Sequence, residues 1–278
     1  MTFIKTQDNI DLYLKDWGVG RLVVLIHGWP LSADSWDDVA VDLVDAGHRV
    51  IAYDRRGFGR SGQPSGGYDY DTLADDLAAV LNYALPSQPV GDKATIVGFS
   101  MGGGEVARYL SRYGSKLIDK VALIASILPF RLQTKDNPAG VAQAEFDKTE
   151  AALRADRAHF FKGFFDKFFG VSKASQPVSA ELLVWMQTIA LQASAKATLE
   201  CLNAFSRTDF RPDLASFTVP TLIIHGTDDL IVPIGSSSHI AVEKIAHSIL
   251  REYPGAPHGL FATEKHRLVQ DLLLFLRD

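Results

Sequence analysis

Val97-Gly98-Phe99-Ser100-Met101-Gly102-Gly103-Gly104 follows an aliphatic run, Ala94 to Val97, and leads into a helix-like stretch, Glu105 to Tyr113. A serine between glycines, where a strand pattern gives way to a helix pattern, fits the G-x-S-x-G turn that carries a nucleophile. So sharp a turn holds Ser100 in strained backbone geometry. A side chain at either flank would collide with the neighbouring strand or helix. The hydroxyl is lifted clear of the sheet at the N-terminal end of the next helix, where negative charge is favoured. A glycine-rich turn with an incidental serine gives the same five-residue pattern, so the rest of the chain must decide.

Upstream, Phe3 to Lys5 and Leu12 to Trp17 flank Gln7-Asp8-Asn9 and read as a hairpin. Leu22 to Ile26 is a continuous aliphatic run, the mark of a central strand buried on both faces, and ends in His27-Gly28-Trp29-Pro30. Ser32 or Asp34 can cap the helix that follows, and Arg49 to Tyr53 forms the next strand. Asp71 is expected to open a helix running to about Leu85, with Leu73, Leu77, Val80 and Leu81 on one face. Downstream of Ser100, Val121 to Ile124 is a further strand. From about 128 to 211 the chain reads as helical with no convincing strand. Strands resume at Pro220 to Gly226 and Ile249 to Tyr253, and an amphipathic helix runs from about Glu264 to Leu276. The alternation predicts an α/β fold: a mostly parallel sheet covered by helices on both faces, with residues 1–278 forming one domain and a helical cap inserted at about 128–211.

Gly57 to Gly62 spells a literal G-x-G-x-x-G after a strand. A dinucleotide site needs a helix to open directly at those glycines, whereas Gln63-Pro64-Ser65-Gly66-Gly67 follows here. The charged residues of that loop are expected to brace it. Phe161, Phe164, Phe165, Phe168 and Phe169 fall on one helical face of the inserted segment. Core packing explains most of such a stripe, and a few of these rings are expected to line a pocket.

Composition narrows the function classes. The 278 residues carry a formal net charge of −5 without a lysine or arginine block, which argues against nucleic acid or an anionic membrane as partner. The single cysteine, Cys201, excludes an intramolecular disulfide and reads as a small buried apolar residue. Met1-Thr2-Phe3-Ile4-Lys5 lacks the pattern of a signal peptide, and no apolar run approaches the ~18 residues of a membrane span. The expectation is a cytoplasmic protein, with homo-oligomerisation left open. No H-E-x-x-H or clustered Cys/His spacing points to a metal, and no cofactor is expected.

A serine hydroxyl needs a base, and the base needs an acid to hold its tautomer. Of eight histidines, His258 is the best base, in the turn-rich loop Pro254 to Gly259 beyond a strand. His225 and His27 end strands and are expected to brace loops, while His48, His159, His239, His247 and His266 read as surface or packing residues. Gly226-Thr227-Asp228-Asp229-Leu230-Ile231-Val232-Pro233 offers two acids between Ser100 and His258 in the chain. The order serine, acid, histidine is that of the α/β-hydrolase arrangement.

On Trp29-Pro30, Gly98 to Gly103, Gly226 to Pro233 and Pro257-His258-Gly259, the sequence resembles the α/β-hydrolase family, and across nearly its whole length the cofactor-free haloperoxidase, perhydrolase and arylesterase branch. The resemblance implies Asp229 rather than Asp228 as the acid beside Ser100 and His258, and an oxyanion hole built from the backbone N–H groups of Met101 and Trp29. It also implies a small carboxylic ester as substrate and hydrogen peroxide as a second partner. A peracid formed from the acyl-enzyme would then oxidise halide in solution. Pro30 has no N–H and pushes Trp29 towards an extended backbone, so the Trp29 carbonyl is expected to accept a hydrogen bond from attacking peroxide, unless Pro30 only stiffens the turn. The pocket implied is lined by Trp29, Pro30, Met101, Ile127, Phe130, Phe164, Trp185, Ile231 and Leu260. A lactone or amide hydrolase with the same three side chains is the near alternative; a non-catalytic small-ligand receptor and a cofactor-free oxygenase are alternatives of other classes. Haloalkane dehalogenation and epoxide hydrolysis fit less well, because the related families that perform them carry aspartate at the elbow.

Overall fold

A computed structural model describes residues 1–277. Eight strands form one sheet: β1 (Thr2–Lys5), β2 (Asp11–Trp17), β3 (Arg21–Ile26), β4 (His48–Tyr53), β5 (Ala94–Phe99), β6 (Ile118–Ile124), β7 (Thr221–Gly226) and β8 (Ser248–Tyr253). Their spatial order is β1-β2-β4-β3-β5-β6-β7-β8. The β1–β2 hairpin pairs antiparallel, as does β2 with β4, and every other pair is parallel. The aliphatic runs become the central strands because their two faces are both covered: every residue of β5, and all of β3 after Arg21, is buried.

The covering helices are α1 (Asp37–Asp45), α2 (Tyr70–Ala84), α3 (Met101–Tyr113), and, after an insertion, α7 (Ser238–Lys244), α8 (Leu260–Thr263) and α9 (Lys265–Arg277). They form two packed groups, α1 with α9 and α2 with α3, on the two faces of the sheet. The first turn of α2 differs from expectation. Asp69, not Asp71, is its N-cap, accepting from the Thr72 N–H at 3.0 Å, while Asp71 pairs with Arg108 on α3.

The insertion between β6 and β7 holds α4 (Gln143–Phe168), α5 (Ala180–Gln192) and α6 (Ala195–Arg207). Among the described residues it contains only isolated bridges and no strand. α4 is two helices in sequence: Asp156 leaves helical geometry (φ −157°, ψ 93°), and its Oδ1 accepts from the His159 N–H at 2.9 Å, capping the second half. The helix after the bend carries its phenylalanines on two faces. Phe161, Phe165, Phe168 and Phe169 are fully buried, whereas Phe160 and Phe164 are only partly covered and stack on each other at 5.8 Å.

The loop after β4 is braced by charge. The Asp54 carboxylate accepts from the backbone of Ala33 and from Arg60, both at 2.8 Å, and Arg56 forms a two-pronged pair with buried Asp76 at 2.6 Å. Gly57 N–H closes on the Gly62 carbonyl at 2.8 Å, and no helix opens until Tyr70, so the glycine pattern is a closed turn. Cys201 is buried, as expected.

At the elbow, steric exclusion forces glycine on both sides of Ser100. A Cβ on Gly98 would lie 2.7 Å from the Gly102 carbonyl, and one on Gly102 would lie 2.8 Å from the Ile26 carbonyl of β3. Gly98→Ala is therefore expected to destabilise the protein by about 1–3 kcal/mol in urea unfolding, because backbone must move to make room. Gly163→Ala in α4, where the added methyl meets nothing within 4 Å, is the control and should stabilise by about 0.5–1 kcal/mol. Equal unfolding midpoints for the two variants would contradict the packing described here.

Candidate active site

Ser100 ends β5 and precedes α3 with φ 52° and ψ −115°, a conformation L-residues avoid. The neighbouring chain ties it down on both sides: its N–H donates to the Ile124 carbonyl at 2.9 Å, and its carbonyl accepts from Gly103 at 3.0 Å and Ile127 at 3.3 Å. Its hydroxyl donates to His258 Nε2 at 3.0 Å, and His258 Nδ1 donates to Asp229 Oδ2 at 2.6 Å. Three side chains from the ends of β5, β7 and β8 thus form one hydrogen-bonded chain.

His258 lies in the turn-rich loop beyond β8 and is fully buried. Phe99 packs against its ring at 5.0 Å and Phe168 of α4 at 4.8 Å, and the Gly259 N–H donates to the Phe168 carbonyl at 2.9 Å. The inserted helices therefore hold the imidazole in place. Of the two adjacent acids, Asp229 is buried and Asp228 is not. Asp229 Oδ1 accepts from the N–H groups of Ile231 at 2.8 Å and Val232 at 2.7 Å, while Oδ2 takes His258 and, at 3.1 Å, His225 Nε2. Burial would push this carboxyl up, but the charge of His258 and the hydrogen bonds from His225 and His258 prevail and hold it below the usual carboxylate range.

His225 and His27 brace loops, as the sequence suggests. His225 Nε2 also donates to the Val232 carbonyl at 2.8 Å, and its Nδ1 accepts from Ser238 at 2.7 Å. His27 Nε2 accepts from the Arg55 N–H at 3.0 Å, and its Nδ1 donates to the Gly28 carbonyl at 2.9 Å. Burial and the nearby Arg55 charge pull the His27 imidazolium well below its ordinary pKa, so this ring is neutral. Arg55, itself fully buried, donates to Glu105 at 2.8 Å and to the His27 carbonyl at 2.8 Å, and Tyr53 completes the cluster on Glu105.

This cluster sets the turn after β3 against the elbow. A Cβ on Gly28 would meet the Phe99 ring at 2.7 Å and the Ser100 Cβ at 3.0 Å. Trp29 follows directly, and among the described residues neither its amide nor that of Met101 donates to a protein acceptor. The Trp29 ring is pinned by its Nε1–H on the Thr198 carbonyl at 3.0 Å and by edge contacts with Phe160, Phe161, Phe164 and Phe205.

Above Ser100 opens a cavity of about 700 Å³ between the sheet edge and the insertion. Trp29, Met101, Ile127, Phe164 and Ile231 line it as expected. Pro30, Phe130, Trp185 and Leu260 do not. Pro30 is buried in the turn closed by the Leu31 N–H on the Gly28 carbonyl at 2.9 Å. Phe130 packs under the Arg211 guanidinium at 5.1 Å. Trp185 is 44% exposed on α5, and Leu260 sits in the core at the start of α8. Lining residues the sequence did not single out include Arg131, Phe160, Leu202 and Phe205, and also His159, which reads as a surface residue. Two of these, His159 and Phe160, lie on α4 just after the departure from helical geometry at Asp156, and the other three come from outside that helix. Among the described residues no group of three His, Cys, Asp or Glu side chains is arranged to hold a metal ion, and no helix is long and apolar enough to cross a membrane.

Comparison with known proteins agrees with this architecture. A non-heme haloperoxidase of Rhodococcus erythropolis is 40% identical over 282 residues, covering 100% of both chains. A bifunctional esterase/perhydrolase of Acinetobacter calcoaceticus is 38% identical over 284 residues, again covering 100% of both. The crystal structure of a bromoperoxidase from Bacillus anthracis superposes with a TM-score of 0.93 at 44% identity, with 100% of each chain covered. The α/β hydrolase fold family matches residues 21–265, and the chain belongs to that family.

Proposed function

We propose that this protein is a serine hydrolase of small carboxylic esters that works through an acyl-enzyme on Ser100, with hydrogen peroxide as a second acceptor of the acyl group. The observation that carries the reading is the chain from Ser100 Oγ through His258 to Asp229, at 3.0 and 2.6 Å, opening into an apolar cavity. Its likeness to an esterase/perhydrolase and to haloperoxidases supports the same chemistry.

In the first half-reaction Ser100 Oγ attacks the ester carbonyl carbon while His258 Nε2 takes the hydroxyl proton. The ionised Asp229 stabilises the imidazolium and keeps Nδ1 protonated. The carbonyl oxygen becomes an oxyanion, accepted by the Trp29 and Met101 amides, each donor contributing ~3 kcal/mol at the transition state. Collapse breaks the bond to the alcohol oxygen, which leaves with the proton from His258. Water or peroxide then attacks the acyl carbon with His258 again as base, giving carboxylic acid or peracid and restoring Ser100. Peroxide needs one acceptor for its second O–H, and the Trp29 carbonyl is assigned that role, with Pro30 fixing its direction.

Ser100→Ala is expected to abolish both stoichiometric fluorophosphonate labelling and p-nitrophenyl acetate turnover. Tight ligand binding by a parent protein with negligible turnover would instead favour a receptor. Asp229→Asn should lower kcat by ~10⁴-fold, since the imidazole loses both its orientation and its counter-charge. The same variant tests the sign of the Asp229 shift. A carboxyl held low in the folded state stabilises above its unfolded pKa of ~3.9, and that contribution is lost as pH falls through the folded value. The parent's melting temperature should therefore drop more steeply than the variant's between about pH 5 and pH 3, and parallel curves would refute the shift. For the peroxide branch, Pro30→Leu should lower the ratio of peracid to carboxylate, and an unchanged ratio would remove the Trp29 carbonyl from the mechanism.

A further inference from the structure

Five ionisable side chains line the cavity over Ser100: Arg131, Glu145, Asp156, His159 and Lys167. Four of them stand at its exposed rim. Glu145 pairs there with Lys148 at 2.7 Å, and Asp156 caps its own helix. Arg131 differs. It is 92% buried, and its backbone is fixed by the Val141 N–H donating to its carbonyl at 2.7 Å.

Its guanidinium is under-used. Nη2 donates to the Ile231 carbonyl at 2.7 Å, Nε is buried without any acceptor, and among the described residues no carboxylate pairs with it. Burial draws the group down to about 10, with the Asp229 charge opposing, so it stays a cation at neutral pH. Asp229 is not its partner, since all its acceptor sites serve His225, His258, Ile231 and Val232. One carbonyl cannot balance a buried cation with five N–H donors. Arg131 nevertheless lines the cavity, and among the described residues its Nη1 has no protein acceptor and is not shut in as Nε is, which leaves guanidinium N–H groups suited to a carboxylate.

We propose that Arg131 binds a carboxylate carried by the substrate, so that the preferred esters are half-esters of short dicarboxylic acids rather than neutral ones. The proposal rests on the esterase reading for its chemistry, and the hydrolytic step itself is unchanged. Arg131 sets specificity and takes no part in bond breaking.

The test compares ethyl butyrate with the monoethyl esters of succinic, glutaric and adipic acids. In the parent, kcat/KM for at least one half-ester should exceed that for ethyl butyrate by about tenfold or more. Arg131→Met should remove this preference, chiefly through KM, and Arg131→Lys should restore part of it. No preference in the parent, or losses in Arg131→Met that are equal for both substrate types, would overturn the proposal and leave Arg131 as a brace of the Ile231 loop. Binding gives a readout independent of turnover. Glutarate should raise the melting temperature of Ser100→Ala more than bromide or sulfate at equal concentration, and this difference should shrink in Ser100→Ala/Arg131→Lys and vanish in Ser100→Ala/Arg131→Met; a difference undiminished in whichever of the two folds would refute the proposal. Equal shifts with all three anions would reduce the site to a general anion pocket and refute the proposal. A protein that hydrolyses none of the esters would fail the esterase reading, and the glutarate shift would still decide the role of Arg131.

Discussion

The arrangement around Ser100 depends on holding one backbone where it would not go alone. A non-glycine residue at φ 52° and ψ −115° costs on the order of 1–3 kcal/mol. The surroundings over-determine it: β5 is buried throughout, both peptide groups of Ser100 are hydrogen-bonded, and glycines at 98 and 102 let β3, β5 and α3 meet at backbone contact. Because of that close approach the hydroxyl stands at the first turn of α3. The strain and the placement of the proposed nucleophile therefore have one cause.

The second constraint is electrostatic and lies beneath the turn after β3. Arg55, Glu105, Tyr53 and neutral His27 form a fully buried cluster whose hydrogen bonds end on the backbone of residues 27 and 28. Buried ion pairs are weak contributors to stability, because desolvation offsets most of the Coulomb gain. Their geometry is nevertheless specific. Here the result is that Gly28 is pressed against Ser100 and the Trp29 amide follows at the rim, which an apolar filling of equal volume would not specify. Asp54, Arg56 and Arg60 do the same for the neighbouring loop.

Much of this was legible in the sequence, and what was not has identifiable causes. Continuous aliphatic runs mark strands buried on two faces, so the sheet could be read from Leu22, Ala94, Val121 and Thr221 onward. Asp229 could be separated from Asp228 by the family pattern, and the structure separates them by burial. Local patterns failed where tertiary contacts override them. Pro254 to Gly259 reads only as a turn-rich loop, and nothing in it signals that Phe99 and Phe168 close over His258. Asp71 is the residue expected to open α2, whereas Asp69 caps it and Asp71, inside the first turn, pairs with Arg108 on another helix. The pocket walls were the least readable. Asp156 interrupts α4 where no proline or glycine marks a break, and the walls also draw on Arg131, Leu202 and Phe205 from outside that helix.

Two faces of the helix after that break let one insertion serve two purposes. The second half of α4 places Phe161, Phe165, Phe168 and Phe169 in the core, where Phe168 fixes the imidazole, and turns Phe160 and Phe164 towards the cavity. The residues of the hydrogen-bonded chain come from the ends of sheet strands, whose positions are set by the parallel ladder and its two covered faces. The cavity walls come chiefly from the insertion, whose exposed helix surfaces can change without disturbing that ladder. Arg131, carried on the segment leading from β6 into the insertion, lies on this wall, where the carboxylate contact proposed for it would act on what binds and not on the bond that breaks. The Ser100 elbow and the outer cavity wall are thus supported by different packing, and Phe168 is the point at which the insertion also reaches the hydrogen-bonded chain.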